Sequence, residues 1–351
     1  VDGRVRALEV HGYRSIQGLE LKLDDVNLVT GPNGCGKSNL FNAFRLVKSA
    51  IEGRLAMALA DEGGLDSILW AGGRQKGPIR MHISVEVEPF EYSLELGLRP
   101  ANEFPLFPAD PQIKSEIVKL AGRVLVDRKS SVAHMRDVEG AMEMRVDLLD
   151  SESVFAQVRD PDRYPSLFHI RELVSRWTFY HEFRTDADSP IRRPAVPTYA
   201  SRLTDDGTNL GPTLFVIEAQ GEIERLREIL EAAFSGTKFH FCEDRVEAQV
   251  ESIDRAMGLK ELSDGTLKFL ALAAACFAKR PPPLIAFNEP EMSLSPAAID
   301  PLADLLAHAA QFSQLWITTH SEELARALVN RTACRPIRLE KAGGETRVVG
   351  S

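Results

Sequence analysis

The chain has 351 residues, 44% hydrophobic and 26% charged, which excludes a disordered chain and allows one large composite domain or two ordinary ones. A net charge of −9 excludes a surface that is basic all over, so nucleic acid would have to meet a local patch. Cys35, Cys242, Cys276 and Cys334 have no metal-ligand spacing and read as free thiols in a reducing compartment. The first residues lack the apolar core of a signal peptide, and the longest apolar run, Phe269 to Ala278, is too short to span a bilayer. The expected location is therefore cytoplasmic. No internal repeat or low-complexity tract is visible.

Val5 to Val10 and Leu19 to Leu23 read as strands. In the second, Leu19, Leu21 and Leu23 alternate with Glu20 and Lys22, as in a half-buried antiparallel strand. Val26 to Thr30 reads as a buried strand. Gly31-Pro32-Asn33-Gly34-Cys35-Gly36-Lys37-Ser38 follows, and it fits G-x-x-x-x-G-K-[ST]. The glycines let successive backbone N–H groups line one concavity for an anion. Lys37 adds a point charge for the β- and γ-phosphates in an expected solvent-open site, and the Ser38 hydroxyl can ligate Mg²⁺. Beyond the loop, Leu40, Phe41, Phe44, Val47 and Ile51 share one helical face, so the loop opens a helix whose dipole favours phosphate.

Gly63-Gly64 and Gly72-Gly73 punctuate the next region. Met81, Ile83, Val85 and Val87, then Phe90, Tyr92, Leu94 and Leu96, alternate with polar residues and predict an antiparallel pair joined at Pro89. Prolines break regular structure from Pro100 to Pro111. Residues 112–260 are less informative. Helices are expected near Leu167–Arg176 and Glu222–Phe234. Strands are expected at Val124–Asp127, Met142–Val146, Thr178–Phe183, Lys238–Cys242 and Val246–Val250. Arg184, Arg192, Arg193 and Arg202, with Tyr199 among them, form a basic cluster that suits either a nucleic-acid backbone or a solvated loop. There is no sustained heptad, so no long coiled-coil arm is expected.

Leu262-Ser263-Asp264-Gly265-Thr266 precedes an apolar helix, a small-residue turn suited to a phosphate or to an ordinary Ser263 cap. Leu284 to Phe287 is a short apolar run that delivers Asn288-Glu289-Pro290-Glu291 at its end. Gln314 to Thr319 is a second such strand, ending at His320. Arg335 to Gly350 reads as a closing hairpin around Gly343-Gly344.

The segment GYRSIQGLELKL, followed by LVTGPNGCGKSNLFNAF, resembles the N-terminus of SMC/RecF-like ABC-type ATPases, including the group related to overcoming-lysogenization-defect (OLD) proteins. The later motifs fall in that family's order: signature, Walker B, D-loop (Ser293-Leu294-Ser295-Pro296) and switch histidine. No TOPRIM domain is expected after His320. The resemblance implies an α/β fold: an ABC-type P-loop ATPase head with a mixed sheet flanked by helices, an antiparallel β lobe and an inserted α+β lobe. The head would occupy residues 1–111 and 256–351, with 112–255 as the insert. ATP and Mg²⁺ are the implied cofactors. Asn33, Gly34, Cys35, Gly36, Lys37, Ser38, Asn39 and Arg14 would hold the nucleotide, and Ser38 and Asn288 the metal. Glu289 would polarise the attacking water, and His320 would sense the γ-phosphate. Ser263, Asp264 and Gly265 would reach the nucleotide of a second copy.

The implied partners are a homodimer on ATP, DNA, and an effector protein such as a nuclease, with no membrane. Two departures matter. Asp264-Gly265-Thr266 stands where transporters have Gly-Gly-Gln, and Asn288 stands where the family has Asp. The first, with the Arg14 segment, points away from a transporter subunit. The second leaves open a scaffold that binds ATP without hydrolysing it. The Q-loop glutamine has only Gln75 and Gln112 as candidates.

Overall fold

The computed structural model describes residues 3–70, 72–73, 80–99, 111–221, 223–243 and 245–349. Strands β1 (Val5–Tyr13), β2 (Ile16–Lys22) and β3 (Val26–Thr30) come first, then helices α1 (Lys37–Glu52), α2 (Leu55–Asp61) and α3 (Leu65–Ile68). Strands β4 (Arg80–Val87), β5 (Phe90–Gly97), β6 (Gln112–Leu120), β7 (Arg123–Lys129), β8 (Val132–Arg136) and β9 (Met142–Arg145) follow. The chain continues through α4 (Val154–Gln157), α5 (Pro165–Ser175), β10 (Thr178–Tyr180), α6 (Leu210–Gln220), α7 (Ile223–Ala233), β11 (Thr237–Phe241), β12 (Val246–Val250) and β13 (Met257–Gly258). It closes with α8 (Asp264–Cys276), β14 (Leu284–Asn288), α9 (Ile299–Ala309), β15 (Gln314–Thr319), α10 (Glu322–Thr332), β16 (Ile337–Ala342) and β17 (Glu345–Val349).

Two compact units divide this chain. The first comprises residues 1–24, 31–177 and 337–351. Its sheet has eight antiparallel strands in the order β2-β1-β4-β5-β6-β7-β8-β9. The alternation expected in β4 and β5 holds, with Met81, Ile83, Val85, Val87, Phe90, Tyr92, Leu94 and Leu96 all buried. Helix α1 buries Leu40, Phe41, Phe44, Val47 and Ile51 and packs on α2, α4 and α5. The β16–β17 hairpin lies beside β2.

The boundary expected between residues 111 and 112 falls between β5 and β6, which are neighbours in one sheet; the units part instead at Trp177/Thr178. A buried ion pair explains why this continuity is hard to read. Arg128 and Glu116 are both fully buried, 3.2 Å apart. Glu116 also accepts from Tyr92 Oη (2.9 Å), Val154 N (2.9 Å) and Ser153 Oγ, while Arg128 donates to the carbonyls of Ser130, Leu149 and Glu152. Charges normally read as surface are here satisfied inside the sheet. The proline-rich stretch 100–110, together with Gln75, Glu222 and Gly350, lies outside the described residues.

The second unit comprises residues 25–30 and 178–336. Its strands β10-β14-β15-β3 are parallel. Each of β3, β14 and β15 is buried on both faces, as a parallel sheet requires. Their C-terminal ends are level: Asn288 pairs with Thr318, and Thr319 with Thr30. Helix α8 is buried from Leu267 to Cys276 and packs on α6 and α9, and α9 packs on α7 and α10. Strands β11-β12-β13 form a small separate sheet.

Candidate functional site

The chain leaves β3 at Thr30 and enters the loop Gly31–Ser38, whose last two residues open α1. Gly36 is the helix N-cap, with φ +107°, and no side chain caps this end. The first amides of an α-helix have no partner within it, so an uncapped start is suited to an anion. A Cβ at Gly36 would run into the Thr346 hydroxyl. Asn33, Gly34 and Ser38 are exposed, while Cys35 is buried under the loop. Lys37 differs from the expected solvent-open position. It is 4% exposed, and its ammonium donates to the carbonyls of Gly31 (2.7 Å) and Pro32 (3.2 Å) of its own loop.

Beneath the loop runs a hydroxyl relay that motif matching does not find. Asn39 Nδ2 donates to Ser15 Oγ (2.8 Å), which lies 2.7 Å from Thr346 Oγ1, and Thr346 Oγ1 donates to Cys35 O (2.8 Å). Each hydroxyl has one proton, so the direction is settled: Ser15 donates to Thr346. The Thr346 amide also donates to Ser15 O (2.7 Å). Asn39 therefore supports the loop from below.

Arg14 occupies the two-residue turn between β1 and β2, with φ +48°. Its guanidinium is drawn to Glu62 (3.0 Å), a buried carboxylate that also receives Tyr13 Oη (2.7 Å) and Arg45 (3.4 Å). Burial, and then the Glu62 charge, push the Tyr13 phenol above its usual range. In this turn it is Ser15 that reaches the loop. Gln112 is buried in β6 and bound to Asp150 (3.0 Å).

In the second unit Asn288 ends β14, and its Oδ1 accepts from Thr318 Oγ1 (2.7 Å). Glu289 follows with φ +48°, held by its amide on Thr318 O (2.9 Å). His320, just past β15, places Nδ1 3.6 Å from Glu289 Oε1 and 3.6 Å from Glu291 Oε1. Glu291, to which the motifs give no role, has a side chain only 5% exposed. Its Oε1 accepts from Thr319 Oγ1 and from His320 N (3.3 Å), and its Oε2 is buried without a hydrogen-bond partner among the described residues. The only signal in the sequence is a second carboxylate three residues past a buried strand end.

Ser263 caps α8, accepting from Thr266 N (3.1 Å). Ser263, Gly265, Thr266, Ser293, Leu294 and Ser295 line a cleft of about 190 Å³. Asp264 pairs with Arg192 (2.6 Å), and Arg192 Nη1 also donates to the carbonyls of Leu259, Lys260 and Leu262. Arg184 pairs with Asp186 (3.1 Å). Two members of the basic cluster are thus tied to nearby carboxylates, and Arg192 clamps the segment before α8.

Residues 144–326, more than half of the chain, match the family model described as "AAA domain, putative AbiEii toxin, Type IV TA system". The chain belongs to this AAA-domain family. Residues 7–50 match a second AAA-domain model. Among solved structures, the chain is similar to an Smc head bound to the C-winged helix domain of ScpA, at 16% identity and a TM-score of 0.55, covering 98% of this chain and 97% of that one. It is also similar to an Smc head with an extended coiled coil bound to the C-terminal domain of ScpA, derived from Pyrococcus furiosus, at 16% identity, a TM-score of 0.52, and 98% and 95% coverage. No curated protein matches. The fold is that of an SMC/RecF-like ABC-type ATPase head, as the sequence resemblance implied.

Proposed function

We propose that the chain binds Mg·ATP and hydrolyses it, with two copies closing head to head on two nucleotides. The observation that carries this reading is the uncapped start of α1 behind Gly36, with Lys37 in its first turn. Backbone amides and Lys37 would hold the phosphates. Ser38 Oγ and Asn288 Oδ1 are hard oxygen donors of the kind Mg²⁺ takes, and the ion would neutralise phosphate charge. Glu289 would orient and deprotonate water, and His320 would bond the γ-phosphate. Ser263, Asp264 and Gly265 would meet the γ-phosphate of the second copy. That contact distinguishes ATP from ADP, so hydrolysis opens the dimer.

The role we infer is DNA repair or defence against foreign DNA in the cytoplasm, with a nuclease or other effector as partner. The SMC heads it resembles each carry a ScpA domain, which favours a protein partner by analogy. DNA would meet a surface other than the Arg184–Arg192 cluster. Among the described residues no helix is long and apolar enough to cross a membrane.

Asn288 favours a second reading, an ATP-dependent scaffold that does not turn over, because a neutral amide already engaged by Thr318 replaces the usual carboxylate. Phosphate release separates the two. Wild type should release phosphate with Mg·ATP, and Glu289→Gln should lose release while keeping ATP binding. Equal release by both proteins would remove Glu289 from the chemistry, and none from either would leave the scaffold.

A further inference from the structure

We propose that Lys268 is a positioning residue whose ammonium, carried by α8, holds the main chain of Glu289–Ser293 in the bend that aims Glu289. The proposal rests on the reading above, in which Glu289 orients the attacking water.

Lys268 is 8% exposed, and its Nζ donates to Met292 O (2.7 Å) and, at longer range, to Glu289 O (3.4 Å). Between these carbonyls the chain makes two successive turns, Met292 N to Glu289 O (3.1 Å) and Leu294 N to Glu291 O (3.1 Å). The bend is flanked by two non-glycine residues in the left-handed region, Glu289 at φ +48° and Ser293 at φ +65°. Such residues persist only where their surroundings over-determine them. At Glu289 two groups do so: Thr318 O takes its amide, and Lys268 meets its carbonyl.

An apolar side chain at position 268 would suit a helix that is otherwise Leu, Phe and Ala from Leu267 to Ala275. Burial pulls the Lys268 pKa below the ordinary lysine value, while Glu291, Glu182 and Glu289 pull it back. A buried ammonium is a weak device for stability, and its contribution here is to geometry. One turn earlier on the same helix, a Cβ on Gly265 would come within 2.9 Å of Ser293 O. Helix α8 thus grips the segment at two levels of one face.

Lys268→Met keeps the stem and removes the donor; Lys268→Arg keeps donors. Three quantities are read: amide exchange at Met292 and Leu294 without nucleotide, ATP affinity, and steady-state kcat and KM. Losing a charge-assisted bond should raise exchange at both amides by about tenfold or more in Lys268→Met. The same loss should lower kcat by about tenfold with ATP affinity and KM little changed, and Lys268→Arg should recover part of kcat. Unchanged exchange, or raised exchange with wild-type kcat, overturns the proposal. If wild type releases no phosphate, the functional reading fails, and exchange at the two amides still decides whether Lys268 holds the bend. If Lys268→Met does not fold, Lys268→Gln, a donor of shorter reach, is read the same way.

Discussion

Replacing Thr346 by Val tests whether the closing hairpin shapes the phosphate loop. The side chains are nearly isosteric, and Thr346 is 1% exposed, so the change removes little but the hydroxyl. Two hydrogen bonds go: the one donated to Cys35 O and the one accepted from Ser15 Oγ. Each is worth about 1 kcal/mol net, and a buried partner left unsatisfied adds about 1–3 kcal/mol. Ser15 still accepts from Asn39, so its hydroxyl can turn toward another acceptor and escape part of that cost. We expect a total loss of about 2–3 kcal/mol. If half or more of it falls on the loop, ATP affinity drops by about tenfold to a hundredfold, at 1.4 kcal/mol per decade. Titration calorimetry with Mg·ATP and urea unfolding on wild type, Thr346→Val and Thr346→Ser separate the contributions. Thr346→Ser keeps the relay and should bind ATP as wild type does. A Thr346→Val protein that unfolds more easily but binds ATP within about twofold of wild type would refute the link to the loop, because the lost energy would then lie in the hairpin alone.

Lys37→Ala should weaken ATP binding by about ten- to a hundredfold, the worth of a charge-assisted bond of 1.5–3 kcal/mol, and should also lower the urea midpoint because the ammonium holds Gly31 O and Pro32 O. Near wild-type affinity by calorimetry would mean the loop does not bind phosphate. Asn288→Asp should lower the Mg²⁺ concentration for half-maximal phosphate release, because a carboxylate accepts a bond from metal-bound water about twice as strongly as an amide and can keep the Thr318 hydroxyl. Superimposed Mg²⁺ titrations of the two proteins would place the metal away from residue 288.

The strands that carry the candidate site were legible because a parallel strand buried on both faces is mostly apolar, and β3, β14 and β15 each have an apolar centre, with the polar residues Asn27, Gln314, Thr318 and Thr319 buried among them. The loop glycines were legible for a steric reason: at Gly36 the backbone has positive φ and Thr346 lies against it. What escaped were polar groups outside the motifs that form their bonds inside the fold. Glu116 and Arg128 interrupt an alternation that would otherwise have extended the antiparallel sheet past β5. Lys268 is a single charge within an apolar stretch, and it is buried with that stretch. Thr346 lies far from its partners Ser15 and Cys35 in sequence, and no local pattern announces a single hydroxyl. Arg192 stands in a basic cluster and yet closes on carbonyls nearly 70 residues away.

The charges at the end of β14 also bear on why Asn stands at position 288. Glu289 and Glu291 each place an oxygen 3.6 Å from His320 Nδ1, and both carboxylates act on the Lys268 ammonium. A third carboxylate at 288 would add like-charge repulsion at a strand end whose Glu291 Oε2 already lacks a hydrogen-bond partner among the described residues. Asn288 avoids that repulsion and keeps an oxygen for the Thr318 hydroxyl. In the proposed reading the cost would fall on Mg²⁺, which would lose an ionic partner at this position. If Mg²⁺ is held here, a carboxylate at 288 would be repelled in the metal-free protein and attracted in the Mg²⁺-bound one. Asn288→Asp should make the apo protein less stable and the Mg·ATP form easier to saturate, a pairing of effects that a merely structural asparagine would not produce.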